Sequence, residues 1–385
     1  VVEGSTEDPV RSSDEAVSTT DEPVGPTDEA VGSTDEPARS LLDWGAGPGI
    51  EDALEARRSD VAGGGRVGRV SRVDRIRAKV VGPDGELRVT DGGHGPLCAG
   101  DWVVVAPTGR GGVEEVRVLL PRRSSLVRSS GTGSLPQVLA ANMDEVWVVL
   151  PTDQDPEPSR LERLLTLAWD SGADPLVVLT KCDVGDEVGH RASASAAGPG
   201  VPVVGVSSVT GAGIPELAAR VGPGATAALI GVSGAGKSSL VNALLGVKRL
   251  LTGAVRLSDG KGRHTTSWRE LVGLPGGGTI IDTPGLRSLG LWLDAGGIDA
   301  TFSEVVAVAA RCRFSDCAHH GEPGCAVATA LSDGTLDAGR FARYGELQVE
   351  AAMVEERNDA RVAGSNARPR PGSSRPGSSR SGRRR

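Results

Sequence analysis

The sequence predicts a multidomain chain: a small all-β barrel, then an α/β domain on a parallel sheet, then a small α-helical domain, between an acidic unstructured N-terminus and a basic unstructured tail. Three observations predict it. Charge separates the two ends from the middle, the apolar pattern changes character near Asp144, and three of the five cysteines gather between Cys312 and Cys325. At 385 residues the chain is too long for one small domain. The expected boundaries are 1–63 for the acidic segment, 64–128 for the barrel, 129–295 for the α/β domain, 296–358 for the helical domain and 359–385 for the tail.

The overall charge of -8 conceals opposite ends. Residues 1–40 carry eleven acids and two arginines, whereas 368–385 carry seven arginines and no acid. From Asp14 the head repeats every seven residues, with acid pairs and Pro23, Pro26 and Pro37. Each unit offers one valine or none, too little apolar surface to offset the entropy of ordering it, so 1–63 is expected to be unstructured. The Arg-, Ser- and Gly-rich tail is read the same way, as an arm suited to polyanions. No apolar run approaches the length of a membrane span, and no charged-then-apolar leader opens the chain, so neither membrane insertion nor secretion is expected. An odd number of cysteines, clustered, suits a reducing compartment and a metal site better than a disulfide framework.

Five short β-rich runs (68–73, 75–81, 86–89, 101–105 and 113–119), punctuated by Gly, Pro and Asp, predict an OB-like barrel. It carries Arg66, Arg69, Arg72, Arg75, Arg77 and Lys79 near its start and Arg122, Arg123 and Arg128 at its end. These residues form either a nucleic-acid face or an ordinary solvated surface. From Asp144, Val- and Leu-rich runs at 146–150, 175–179, 201–206, 225–230 and 279–281 alternate with helical stretches. That pattern is a parallel sheet covered on both faces. Ser159 followed by Glu162 reads as a capping box, with Leu161, Leu164, Leu165 and Ala168 as the buried stripe behind it.

Gly231, Val232, Ser233, Gly234, Ala235, Gly236, Lys237 and Ser238 spell G-x-x-x-x-G-K-S between a strand and a helix, with Ser239 following. Glycines let backbone N–H groups turn in around a phosphate, the helix N-terminus adds partial positive charge, and Lys237 adds a full one. The Ser238 hydroxyl suits Mg2+. Asp282 and Gly285 form D-x-x-G at the end of the strand 279–281, where such an element would reach Mg2+ and the γ-phosphate. Between them lies a polar loop, 262–267, where Thr265 or Thr266 offers a second hydroxyl for the magnesium ion.

Thr180, Lys181, Cys182 and Asp183 follow a buried-type strand and match the [NT]-K-x-D guanine motif. Asp183 can accept from both N1–H and the N2 amine of guanine; adenine lacks that donor pair and would leave the carboxylate unpaired. The Lys181 stem can lie along the base. Ser207 and Ser208 open a loop after 201–206 suited to guanine O6. In the usual order the phosphate motif precedes the base motifs; here it follows them. Cutting the chain after D-x-x-G and joining the old termini rebuilds the same sheet, so the domain is expected to be a circularly permuted P-loop GTPase. Whatever follows Gly285 then hangs on the γ-phosphate sensor.

Cys312, Cys317, His319 and Cys325 give C-x4-C-x-H-x5-C, a complete tetrahedral shell for a structural Zn2+, with His320 as a spare. Cys98 and Cys182 read as small core or loop residues.

The order of barrel, permuted GTPase and Cys/His knuckle resembles ribosome small-subunit-dependent GTPase A, the RsgA/YjeQ family. The resemblance spans roughly 64–356. It rests on the LPRRS and QVLAAN segments beginning at Leu120 and Gln137, the TKCD, GVSGAGKSS, GRHTTS and DTPG motifs, and the CRFSDCAHHGEPGCAV run from Cys312. It implies a cytoplasmic, monomeric GTPase that cycles between GTP and GDP, binds the small ribosomal subunit and its 16S-type rRNA, assists late subunit maturation and is stimulated by that particle. Barrel and zinc domain are the implied rRNA contacts. Ser267 and Thr283 depart conservatively from the family pattern, and the acidic head is an addition. Leu286 occupies the place of the usual water-positioning glutamine, so His264, in the 262–267 loop, is expected either to orient the attacking water or only to brace the loop, while Lys237 neutralises charge. The alternative is a GTP-dependent rRNA-binding switch with negligible hydrolysis.

Overall fold

The computed structural model describes residues 39–74, 77–107, 114–128, 137–247, 269–283 and 295–366. The acidic repeat, the 262–267 loop with His264, Thr265 and Thr266, the turn with Gly285 and Leu286, and the basic end of the tail lie outside the described residues.

The described part of the acidic segment, from residue 39, is folded, contrary to expectation: a turn at 41–45 leads into α1 (Pro48–Glu55) and α2 (Arg58–Ala62). Ser40 and Asp43 close the turn, with Ser40 donating from N and Oγ to Asp43 Oδ2 at 2.8 Å. Pro48 starts α1 where a missing N–H costs nothing. Ala46 and Ile50 are buried against Trp102 and Leu120, with Leu41 and Trp44 packed around them. Leu41, Leu42, Trp44 and Ile50 supply the apolar surface that the acidic heptads before them lack.

Next come β1 (Arg66–Val73), β2 (Ala78–Gly82), β3 (Gly85–Thr90), β4 (Trp102–Pro107) and β5 (Glu114–Leu119). They close into a barrel in the order β1-β2-β3-β5-β4, with β4 returning to β1 and β3 meeting β5 in parallel. Val70, Val80, Val89, Val103, Val105 and Val116 fill it. β-branched side chains suit a small, tightly curved interior. Several of the described basic residues are paired or buried. Arg66 pairs with Glu114, Arg72 with Asp74, Lys79 with Glu86 and Arg122 with Asp101. Arg69 is wholly buried.

A short antiparallel pair, β6 (Ser125–Arg128) with β7 (Gln137–Ala141), leads into the main sheet. Its strands are β8 (Glu145–Pro151), β9 (Asp174–Thr180), β10 (Val203–Gly205), β11 (Thr226–Ile230), β12 (Glu270–Gly273) and β13 (Thr279–Asp282), in the order β10-β9-β8-β11-β13-β12. All pairings are parallel except that of β12, an antiparallel edge strand that the sequence reading omitted. Alternate residues serve opposite faces. Val146, Val148, Val177 and Leu179 pack beneath α3 (Pro158–Asp170) and α4 (Glu187–Ala197). Trp147, Val149, Leu176 and Val178 pack beneath α5 (Ile214–Arg220) and α6 (Lys237–Leu245). Both faces are dry, which is why the strands read as continuous apolar runs.

Four more helices follow among the described residues: α7 (Ala295–Thr301), α8 (Ser303–Ala309), α9 (Ala326–Ser332) and α10 (Ala338–Asn366). The last reaches into the stretch expected to be unstructured tail. Glu162 is a second correction. Pro158 takes the first helical position of α3, so Glu157 is the N-cap and makes no side-chain cap bond. Glu162 instead lies fully buried, accepting from Arg340 Nη1 at 3.0 Å and from Arg343 Nε at 2.6 Å. Arg340 also donates to the Thr301 carbonyl and to Glu304, tying α3, α7, α8 and α10 together.

Candidate functional site

Strand β11 delivers the phosphate loop. Gly231, Gly234 and Gly236 hold φ of 148°, 85° and 89°. At Gly231 a Cβ would stand 2.4 Å from the Val149 carbonyl oxygen, so only glycine lets the loop leave β11 beside β8. Gly236 then caps α6, whose first residue is Lys237. Lys237 is buried, and its ammonium donates to the carbonyls of Gly231 and Val232 at 2.8 and 2.9 Å, folded back over the loop that would receive the phosphates. Val232, Ser238 and Ser239 are half-buried, Ala235 is buried, and Ser233 and Gly234 face solvent. Asp282, at the end of β13, is buried and in register with Leu229 of β11. Beside it the Thr283 hydroxyl donates to the Leu229 carbonyl. The conservative Thr283 thereby fastens the start of the D-x-x-G motif to the phosphate-loop strand.

The base motif stands at the end of β9, on the other side of β8. Thr180 is buried, and its hydroxyl lies 2.6 Å from the Ala235 carbonyl of the phosphate loop and 3.2 Å from that of Leu150. Threonine, standing in place of the commoner asparagine, thus still braces the loop through a hydroxyl. Lys181 has φ 61°, a left-handed conformation rare for a side-chain-bearing residue. Asp183 is exposed. The Cys182 N–H donates to Val206, at the end of the segment that carries Ser207. Cys182 is half-buried, and burial, then Glu187, raises its thiol pKa and keeps it protonated. Ser207 is buried, and its hydroxyl accepts from the N–H groups of Val209 and Thr210, shaping the loop on which half-buried Ser208 sits. Motifs that are inverted in sequence thus converge at the strand ends of one sheet.

One contributor went unread in the sequence. Thr152, just after β8, is buried and bonds the guanine-motif loop through its backbone N–H to Thr180 O and through Oγ1 to Thr180 O and Lys181 O, all at 3.0 Å. The adjacent Asp153 pairs with Lys181 Nζ at 2.8 Å. No short motif marks either residue. The signal available was their position immediately after a buried strand flanking both motifs.

The Cys/His cluster is assembled between α8 and α9. The Sγ atoms of Cys312, Cys317 and Cys325 and a ring nitrogen of His319 all lie within 4.8 Å of one another. His319 Nδ1 is 3.6 Å from Cys312 Sγ and 3.7 Å from Cys325 Sγ. Ligand atoms around a tetrahedral zinc stand about 3.5–3.8 Å apart, so the donor set and its spacing fit that ion. His320 is exposed, and His319 turns inward through a φ of 64°. Backbone N–H groups of Val327 and Ala326 hold the Cys312 thiol below its ordinary range. Cys317 is pushed up to about 12, by burial first and then by the neighbouring sulfurs. A cation among them would relieve that repulsion.

Residues 119–292 match the family described as RsgA GTPase. A Streptomyces coelicolor protein named small ribosomal subunit biogenesis GTPase RsgA is 48% identical over 306 residues, spanning 77% of this chain and 83% of its own. One of the same name from Opitutus terrae is 47% identical over 275 residues, spanning 69% and 75%. The crystal structure of YjeQ from Thermotoga maritima superposes with a TM-score of 0.54 at 25% identity, over 75% of this chain and 99% of that one. YloQ, described as a circularly permuted GTPase, shares the fold at a TM-score of 0.52 and 21% identity, over 75% and 95%. The sheet order, the converging motifs and the extent of these matches establish that the chain belongs to the RsgA GTPase family.

Proposed function

We propose that the chain hydrolyses GTP to GDP and phosphate in assisting biogenesis of the small ribosomal subunit, with the particle as its activator. The observation that carries the reading is the bond from Thr180 Oγ1 to the Ala235 carbonyl, which joins base motif and phosphate loop into one pocket. The names of its relatives support the partner. Asp183 reads guanine, and Lys181, Cys182, Ser207 and Ser208 shape the base end. Lys237 releases its loop carbonyls for the β- and γ-phosphates. Ser238, with Thr265 or Thr266, would hold Mg2+, and Asp282 would stand behind it. Bound there, the ion neutralises charge on the transferring phosphoryl group. His264 orients the water, and Lys237 stabilises the charge that develops. The assignment of Gly285 to the γ-phosphate follows from its place after Asp282.

The five-stranded barrel is read as an OB-fold RNA-binding unit over 64–128, followed by the permuted GTPase over 129–295 and the zinc-binding helices over 296–358. The particle's 16S-type rRNA is the expected ligand of barrel and knuckle. Arg66, Arg72 and Arg122 are paired with acids, so their use in that contact would require displacing those acids. One Zn2+, held by Cys312, Cys317, His319 and Cys325, would be structural, since four protein ligands leave no place for a reacting water. No described helix is long and apolar enough to cross a membrane. A monomer working in the cytoplasm is proposed from the partner that the relatives' names give. Phosphate release from GTP, measured with purified small and large subunits added separately, tests the reading. Stimulation by the small subunit alone is expected. Negligible release both with and without particles would instead identify a GTP-dependent rRNA-binding switch.

A further inference from the structure

We infer that Thr152 and Asp153 form a clamp that sets how long guanine nucleotide stays bound, by fixing the backbone and the ammonium of Lys181. The inference rests on the reading of Thr180–Asp183 as the guanine site.

Lys181 occupies a left-handed conformation at φ 61°, which a residue with a β-carbon holds only when its surroundings enforce it. Thr152 supplies part of that enforcement, beside the turn bonds the Lys181 carbonyl accepts from the Val184 and Gly185 N–H groups at 3.0 and 3.1 Å. The Thr152 N–H and hydroxyl reach the carbonyls of Thr180 and Lys181, and its own carbonyl accepts from the Asp186 N–H at 3.2 Å. Both ends of the TKCD loop are therefore tied to one residue. Contact is so close that a Cβ on Gly185 would stand 2.2 Å from the Thr152 carbonyl oxygen and from its Oγ1. Thr152 is 3% exposed, so water does not substitute for these bonds.

Asp153 acts on the other end of the same lysine. Both its carboxylate oxygens lie within reach of Lys181 Nζ, at 2.8 and 3.1 Å, and the two side chains are about one-third exposed. The pair contributes little to global stability at that exposure. It does remove the rotational freedom of a four-carbon stem, which is the part of Lys181 that would lie on the base. A stem fixed before binding loses less entropy when the nucleotide arrives, and so gains affinity through a slower release rate. Asp153 is thus a positioning residue: it need not touch the nucleotide.

The test is the release rate of a fluorescent GDP from the full chain. Asp153→Ala is expected to speed release about three- to ten-fold, Asp153→Glu to restore most of the loss, and Thr152→Val to speed release more than Asp153→Ala. Because the clamp acts through the lysine stem and not through the edge that Asp183 reads, the GDP to IDP affinity ratio should stay as in the unaltered protein. In a Lys181→Met background the Asp153→Ala change should have no further effect. An unchanged release rate in Asp153→Ala, or an equal effect with and without Lys181, would overturn the inference. If the unaltered protein did not prefer GDP over ADP, the guanine-site reading itself would have failed, an outcome visible before any variant is made.

Discussion

Arg69 illustrates how a single side chain can be misread by type and still be decisive by place. In the sequence it is one of several arginines on a β-rich run. In the structure its guanidinium is buried, stacked on Trp102, and donates to the carbonyls of Trp44, Gly100 and Asn142 and to the hydroxyls of Thr226 and Thr279. Those two threonines begin β11 and β13, the strands that end in the phosphate loop and Asp282. Burial pushes the Arg69 pKa down to about 9, which still leaves the group charged at neutrality. The acceptors are spent on a cation, so Arg69→Met should leave several buried oxygens without donors. We expect a loss of about 3–5 kcal/mol in unfolding free energy, read as a lower denaturation midpoint at unchanged slope. Nothing in the local sequence separates Arg69 from Arg66 or Arg72, because its partners lie up to 210 residues away. The phosphate-loop residues were legible for the opposite reason: their motif is written within eight consecutive positions, Gly231 to Ser238.

At the level of elements, legibility followed the range of the forces. Helix α6 begins at Lys237 and ends at Leu245, as the phosphate-loop pattern predicts, and the four core strands fall within a residue or two of their apolar runs. The N-terminal strap did not. Its ordering depends on surfaces that the barrel and sheet provide: Gly224 N–H donates to the Leu42 carbonyl, and a side chain at Gly45 would collide with Arg69 and Thr226. Its composition alone, continuing from the acidic repeat, argued for disorder, although the run of Leu41, Leu42 and Trp44 was a visible break. Two truncations separate repeat from strap. Removing residues 1–38 is expected to leave the thermal midpoint unchanged to within about a degree. Removing 1–56 uncovers Trp102 and Leu120 and withdraws one of Arg69's acceptors. It should lower the midpoint by roughly 5–10 °C, since losing Ile50 alone is a change of about 2–5 kcal/mol.

Across the whole molecule, the inverted motif order has a mechanical consequence. Strand β13 carries Asp282, and the next described element, α7, is bonded to the far end of α3 through Gly297 N–H and Asp170. Arg340 then fastens the Thr301 carbonyl, Glu304 and buried Glu162, and the rings of Phe302, Tyr344, Phe341 and His319 follow one another from that junction to the Cys/His cluster. On the function proposed above, guanine reading depends on β9 and the loop after β10, while particle-stimulated turnover depends on the Cys/His cluster, which α7, α8 and α10 link to α3. The two functions should be separable. On the proposed zinc reading, Cys325→Ser should remove a ligand and lower bound zinc by one equivalent per chain in metal analysis. It should leave GDP affinity within about twofold, because no bond described in the base or phosphate loop involves the cluster. On the proposed reading of the knuckle as a contact for the particle, turnover stimulated by the small subunit should fall about tenfold or more. Glu162→Gln keeps the cluster but weakens the junction, and should reproduce the loss of stimulation with zinc retained. If both variants hydrolysed GTP at the full stimulated rate, the tether from Asp282 to the knuckle would be architecture alone, and activation would have to enter through the barrel side of the sheet.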